Sequence, residues 1–204
     1  MPARAIDLYQ RAAPGYDRAH GRWLRHAGGE AQCAFEGAAA ALMRPGMAVL
    51  DAACGTGHVM RRLLAGTDGA VDATVLDAAS AMLACCTDLD AEQVGGRIEA
   101  MPFADARFDL VTCAWGLEAC DAPEAALREM LRVCRPGGHV CLCFCAAAPA
   151  RGALAWTLAR SIRVRGLGTF LQAGRVAAAA RAHGAASVRM LHCTGPAAAL
   201  LIRR

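Results

Sequence analysis

Asp51, Gly55, Gly57 and Asp77 are the residues whose types and spacing could hold a nucleotide-like ligand in this chain. The apolar stretch Ala48-Val49-Leu50 reads as a short buried strand, and Asp51 stands where it ends. Gly55 and Gly57 then open a turn, and His58 to Leu64 has helical spacing. Strand, glycine turn and helix in that order leave bare backbone at a helix N-terminus, where a nucleotide-like ligand can lie without meeting a Cβ. A second apolar run, Val71 to Leu76, delivers Asp77 at its carboxyl end, and an acid there in an open α/β sheet reaches a ribose diol. Two plainer readings stand beside these: a tight turn holding no ligand, and Asp77 as a helix cap for the segment after Ala79.

The residues also say which nucleotide chemistry is absent. A pyrophosphate loop needs G-x-G-x-x-G, and Met60 occupies the third glycine position, while the start of the motif is displaced into Ala53-x-Gly55-x-Gly57. No lysine occurs anywhere in the chain, which removes a G-x-x-x-x-G-K-[ST] phosphate loop and Schiff-base chemistry together.

Val49-Leu50-Asp51-x-x-Cys54-Gly55-Thr56-Gly57 resembles the first motif of class I S-adenosylmethionine-dependent methyltransferases. Val75-Leu76-Asp77 with Ala81-Met82-Leu83 is similar to the family's second-strand segment. Ala100-Met101-Pro102-Phe103, then Phe108-Asp109-Leu110-Val111, is similar to the stretch entering its fourth strand. Ala126-Leu127-Arg128-Glu129-Met130-x-Arg132-Val133-x-Arg135-Pro136-Gly137-Gly138 is similar to the helix and turn before its fifth. Tyr9 to Trp23, and Ala114-Trp115-Gly116-Leu117 before Asp121, resemble the quinone-ring methyltransferases of ubiquinone and menaquinone synthesis and the bacterial phospholipid N-methyltransferases.

The resemblance implies S-adenosyl-L-methionine as cofactor. Asp51, Ala53, Cys54, Gly55 and Gly57 would shape the loop beside its methionine part, with Ala53 standing where the family has a first glycine. Asp77 and Ala78 would meet the ribose, and Met82, Ala100 and Met101 the adenine. Cys113 would lie at the end of the fourth strand near the reacting methyl. Arg97 departs from the pattern, because relatives carry an acid there to accept from the adenine amino group. Tyr16, Trp115 and Trp156 are the candidates for contact with the acceptor, with core packing as the plainer role of each. Methyl transfer asks mainly for in-line positioning and water exclusion. His20, His26 and Glu118 could serve as a general base, no motif selects one, and no catalytic residue is assigned.

These residues need elements to place them. Residues 3 to 44 read as two helices broken near Pro14-Gly15, the second running from about Tyr16 to Leu42. Strands are expected at about 48–51, 71–76, 96–99, 109–114 and 139–145, with helices between, which implies a parallel sheet covered on both faces. By the resemblance, apolar runs at 187–192 and 197–202 would form an antiparallel hairpin completing seven strands. The expected fold is therefore α/β, a doubly wound, Rossmann-like, mostly parallel sheet with an N-terminal helical lid. We expect one domain over 1–204: a lid at 1–44, a cofactor-binding core at 45–145, and basic C-terminal helices with the final hairpin at 146–204.

Composition bounds the rest. A 56% hydrophobic and 20% charged chain excludes disorder. Up to Glu129 there are 18 acids against 11 arginines, near −7; from Met130 onward there are 11 arginines and no acid, near +11, which sums to the net +4. A one-signed tail, with a basic amphipathic helix at 151–165, suits an anionic ligand or lipid surface, or an ordinary solvated face. The 11 cysteines lack a zinc-like C-x-x-C pair. Cys141, Cys143 and Cys145 share one face of a strand, as small buried hydrophobes or, with Cys85-Cys86, as a soft-metal site. No metal is expected. Few aromatics and no Asn/Asp-Pro-Pro-aromatic tetrad disfavour nucleic acid as a partner. Without a signal segment or spanning run, a cytoplasmic protein is expected, with peripheral contact to an anionic inner membrane face. The function expected is methyl transfer to a small amphiphilic acceptor, quinone-like or phospholipid-like; the alternatives are a non-catalytic cofactor-binding protein of the same fold and thiol-dependent metalloid methylation.

Overall fold

The structure, a computed structural model, describes residues 3–68, 70–147, 157, 160 and 169–204. The chain opens with α1 (Ala3–Ala12), a 3-10 turn at Ala13–Gly15, α2 (Tyr16–Trp23), a π-helical turn at Leu24–Gly28 and α3 (Gly29–Leu42). Alternation then begins: β1 (Ala48–Ala52), α4 (His58–Ala65), β2 (Asp72–Asp77), α5 (Ser80–Leu83), β3 (Glu92–Gly95), β4 (Phe108–Ala114), α6 (Pro123–Val133) and β5 (Cys134–Cys145). The last described elements are α7 (Ala173–Ala182), β6 (Ser187–Thr194) and β7 (Ala197–Arg203). The basic helix expected at 151–165, with Trp156, lies outside the described residues apart from positions 157 and 160.

The strands form one seven-stranded sheet in the order β3-β2-β1-β4-β5-β7-β6. β3 to β5 run parallel, and β7 lies antiparallel between β5 and β6. This is the expected doubly wound sheet with its terminal hairpin. The order reverses at β1 and β4, the place where open α/β sheets leave a crevice beyond their carboxyl ends. Both faces are covered. Leu50 and Ala52 pack on Phe108, Leu127 and Met130, while Val49 packs on Phe35, Met60 and Leu63. Cys141, Cys143 and Cys145 do share one face, buried toward α3, and Val140, Leu142 and Phe144 take the other.

Two expectations need correction. The third strand is Glu92–Gly95, ahead of the 96–99 segment assigned to it. At 96 the chain is already turning: Gly96 donates to the Asp77 carbonyl and Arg97 bridges back to Ala100. β3 is an edge strand with mostly exposed side chains, so no apolar run marks it. The long second helix is also not continuous, since the π turn at Leu24–Gly28 interrupts it. A Cβ on Gly28 would stand 2.5 Å from Trp23 Nε1 and 2.8 Å from Trp115 Cη2, so the turn exists where two indoles close on bare backbone. Pro136-Gly137-Gly138 forms an irregularity inside β5, where pairing jumps from Phe108–Cys134 to Leu110–His139. Among the described residues no helix is long and apolar enough to cross a membrane.

Candidate functional site

The loop leaving β1 is held open by left-handed backbone. Gly55 has φ +55° and Gly57 φ +79°, which glycine adopts freely, but Ala53 has φ +57° and stores strain of roughly 1–2 kcal/mol. Asp77, at the end of β2, ties this loop down. Its Oδ2 accepts the Gly55 N–H at 2.9 Å and its Oδ1 accepts the Ala79 N–H at 2.8 Å. The carboxylate thus both caps the segment after Ala79 and anchors the glycine turn. Burial pushes its pKa up, and the amides of Ala79, Gly55 and Ala78 oppose that. A carboxylate has about four lone-pair sites, so acceptor capacity stays available for a ligand. Asp51 lies deeper. Its Oδ1 accepts the Thr112 hydroxyl at 2.8 Å, its Oδ2 is buried without a hydrogen bond, and burial lifts its pKa to about 7.

The loop leaving β4 closes the opposite side. Trp115 also sits at positive φ, +61°. Its indole N–H donates to Gln32 Oε1 at 2.6 Å, Gln32 Nε2 donates to Glu36 Oε1 at 2.6 Å, and Glu36 pairs with Arg62 at 2.9 Å. A buried relay therefore fixes a strained tryptophan beside the crevice. Gly116 brings the two loops together, since a Cβ there would meet the Ala53 Cβ at 2.4 Å.

Helices α1 and α2 cover this edge. Gln10 bonds Ser80 Oγ at 2.9 Å and accepts the Ala81 N–H at 3.2 Å, and the Thr56 hydroxyl donates to Asp17 at 2.6 Å. Beneath them Tyr9, Tyr16, Ala53, Gly55, Asp77, Met82 and Trp115 surround a cavity of about 30 Å³. That is room for about two waters, so an adenosyl ligand enters only if the two tyrosines or α1 move. A second cavity of about 450 Å³ adjoins it, sharing Tyr9, Tyr16 and Trp115 and adding His20, Trp23, Glu118 and Cys145. Its walls are aromatic: Tyr16 stacks on His20 at 5.5 Å, and Trp23 meets Trp115 edge-on at 5.7 Å.

Of the expected cofactor residues, Ala53, Gly55, Asp77 and Met82 line the small cavity. Asp51, Cys54 and Gly57 shape the loop behind it, the thiols of Cys54 and Cys86 each meeting the Gly55 carbonyl at 3.6 Å. Ala78 is half-buried next to Asp77. Ala100 is exposed, and Met101 and Cys113 are buried in the core; none of these three lines the cavity. Tyr16 and Trp115 line both cavities, and Trp156 lies outside the described residues. Arg97 points elsewhere, paired with Glu99 at 3.1 Å and Asp121 at 3.2 Å. Of the three candidate bases, His20 and Glu118 line the larger cavity, and His26 does not. Burial lowers the His20 pKa to about 4, with His58 adding to it, so the ring is neutral at ordinary pH. Trp23 and Gly116 fall inside the resembling segments, but neither was given a role at the site. A signal existed for the first: Tyr9, Tyr16 and Trp23 recur every seven residues, with His20 four after Tyr16, which is one helical face.

Comparison with known proteins bears on this geometry. Residues 50–142 match the family described as a methyltransferase domain. The chain is 37% identical over 134 residues to a malonyl-[acyl-carrier protein] O-methyltransferase of Erwinia billingiae, covering 64% of this chain and 52% of that protein. It is 41% identical over 98 residues to a demethylmenaquinone methyltransferase of Renibacterium salmoninarum, covering 47% and 40%. The chain thus spans about half the length, or less, of these relatives. Among solved structures, a SAM-dependent methyltransferase of Thermotoga maritima, described as a possible histamine N-methyltransferase, superposes with a TM-score of 0.75 at 16% identity over 97% of this chain and 98% of that one. The crevice at the sheet reversal, with its aspartate-anchored glycine loop, lies within the matched segment, over which this chain is similar to the methyltransferase-domain family.

Proposed function

We propose that this protein transfers a methyl group from S-adenosylmethionine to a small acceptor held in the aromatic cavity beside the glycine loop. The observation that carries this reading is adjacency. The Asp77-Gly55 crevice and the larger cavity share Tyr9, Tyr16 and Trp115, so a cofactor in one presents its methyl to the other. The residues suit an adenosyl group: Asp77 keeps lone pairs for a ribose diol, and Gly55 and Gly116 leave backbone where a Cβ would intrude. The cofactor supplies an activated methyl, and the chain supplies alignment and exclusion of water, effects able to contribute about 7–11 kcal/mol. Asp51, behind the loop, would favour positive charge on the methionine part. The apolar, aromatic walls suit an amphiphilic acceptor with a ring. Peripheral contact with an anionic membrane remains tied to the one-signed C-terminal charge, of which Arg175, Arg181 and Arg189 are exposed.

The non-catalytic reading rested on Arg97 and on the lack of an obvious base, and it is not favoured. That arginine is engaged by two acids and stays off the cavity wall. Calorimetry with S-adenosylhomocysteine tests the proposal. Wild type should bind in the micromolar range, and D77N should bind about 10- to 100-fold more weakly, because each hydrogen bond to an ionised carboxylate is worth about 1.5–3 kcal/mol. Equal affinity for both proteins would remove Asp77 from the site.

A further inference from the structure

Glu118 is a charged side chain with unfinished business at the acceptor cavity. It is 4% exposed, and it lines the 450 Å³ cavity with Tyr9, Tyr16, Trp115 and Cys145. Its Oε1 accepts the Cys145 N–H at 3.0 Å, which fixes the carboxyl plane against β5. Its Oε2 is buried with no hydrogen-bond partner. Leaving a charged acceptor unpaired costs several kcal/mol, a cost a fold retains where a ligand supplies the missing donor. Arginine 11 is the basic residue among the described lining, and it is exposed on α1. Burial above all, with the nearby Glu118 carboxylate adding to it, holds the phenols of Tyr9 and Tyr16 in their neutral form. His20 is neutral as well, and burial keeps the Cys145 thiol protonated against the carboxyl, so no positive charge on the buried part of the described wall neutralises Glu118.

Resting on the proposed methyl-transfer reading, we infer that Glu118 Oε2 receives the hydrogen bond, and then the proton, of an aromatic hydroxyl acceptor, and so makes the cavity reject carboxylate acceptors. This separates a phenol-like ring from a carboxylate by charge; the relatives' names carry both a malonyl group and a menaquinone. An anionic carboxylate would meet Glu118 as a like charge in a low-dielectric pocket, whereas a flat phenol can stack between Tyr16 and Trp115 and donate its O–H. The step balances. The acceptor oxygen bonds the methyl carbon, the carbon–sulfur bond breaks with its electron pair left on sulfur, and the hydroxyl proton passes to Glu118. Sulfonium, phenol and carboxylate become thioether, methyl ether and carboxylic acid. Burial raises the Glu118 pKa, which makes it a stronger base for this task than an exposed glutamate.

The test uses two probes built on the same ring, 2-naphthol and 2-naphthoate, added to the protein saturated with S-adenosylhomocysteine. Binding is read by quenching of Trp23 and Trp115, which face the cavity, so no turnover is needed. Wild type should bind naphthol at least 10-fold more tightly than naphthoate. In E118Q the amide keeps the Cys145 contact but places N–H donors at the Oε2 position, so the preference should shrink or invert. Naphthoate binding wild type as tightly as naphthol, or an unchanged ratio in E118Q, overturns the inference. Should E118Q not fold, the wild-type ratio alone decides. S-adenosylhomocysteine binding is measured in the same samples: its loss would strike the methyl-transfer reading, while intact cofactor binding with no discrimination would strike Glu118 alone.

Discussion

At the residue scale, the two aspartates divide the work by depth. Asp77 sits where its oxygens can serve backbone and ligand together, whereas Asp51 is sealed behind the loop with one oxygen unpaired. Burial lifts Asp51 to about 7 from 3.8. The folded state therefore holds the proton more firmly than the unfolded chain between those values, and stability contributed by this group falls as pH rises from about 4 to about 7, by ~4 kcal/mol in all. Urea unfolding of wild type and D51N across that window should show the difference in stability moving in the mutant's favour as pH rises. A difference that stays flat would mean Asp51 is ionised throughout. Both aspartates were legible in the sequence because they end apolar strands. The strain at Ala53 and Trp115 was not, since positive φ in a non-glycine residue is imposed by the neighbouring loop and leaves no mark in residue type.

At the element scale, the helix motif before β5 acquires a mechanical role. Arg132 on α6 pairs with Glu129 at 2.7 Å and Asp105 at 2.7 Å, and donates to the carbonyls of Phe103 at 2.8 Å and Met101 at 3.1 Å. Glu129 in turn accepts the Met101 N–H at 2.9 Å. The Met101-Pro102-Phe103 segment, of which Met101 was expected at the adenine, is thereby clamped into the core. Arg132→Leu should cost about 2–4 kcal/mol in chemical denaturation, because two carbonyls and two carboxylates lose their donor. A cost under 0.5 kcal/mol would show the clamp to be ornamental.

The covering helices are held more lightly. Thr56→Val removes the bond to Asp17, worth about 1 kcal/mol, so stopped-flow association of S-adenosylhomocysteine should quicken by up to about 5-fold if lid opening limits entry. An unchanged or slower rate would place the barrier elsewhere. Apolar runs made β1, β2 and β4 readable and the family resemblance supplied the hairpin, while β3 escaped because an edge strand has no apolar side to advertise. The π turn escaped because Gly28 serves indoles that are distant in sequence.

At the scale of the whole molecule, the sheet reversal is what turns scattered residues into one site. β1 and β2 bring Asp51 and Asp77 side by side, β4 adds Trp115, and the N-terminal helices close over all three. The order of motifs made this architecture legible, because strand–helix alternation and right-handed crossovers leave few other topologies. The aromatic cavity was only half legible. Its helical face repeats every seven residues, but Glu118 and Cys145 reach it from elements far along the chain. Amide NMR titration with S-adenosylhomocysteine tests the central claim most directly. The account predicts saturable, one-to-one shifts of the Gly55 and Ala79 amides, which Asp77 holds in the free protein, together with the Trp115 indole N–H. Saturable binding that leaves Gly55 and Ala79 unmoved, or no binding at all, would contradict it.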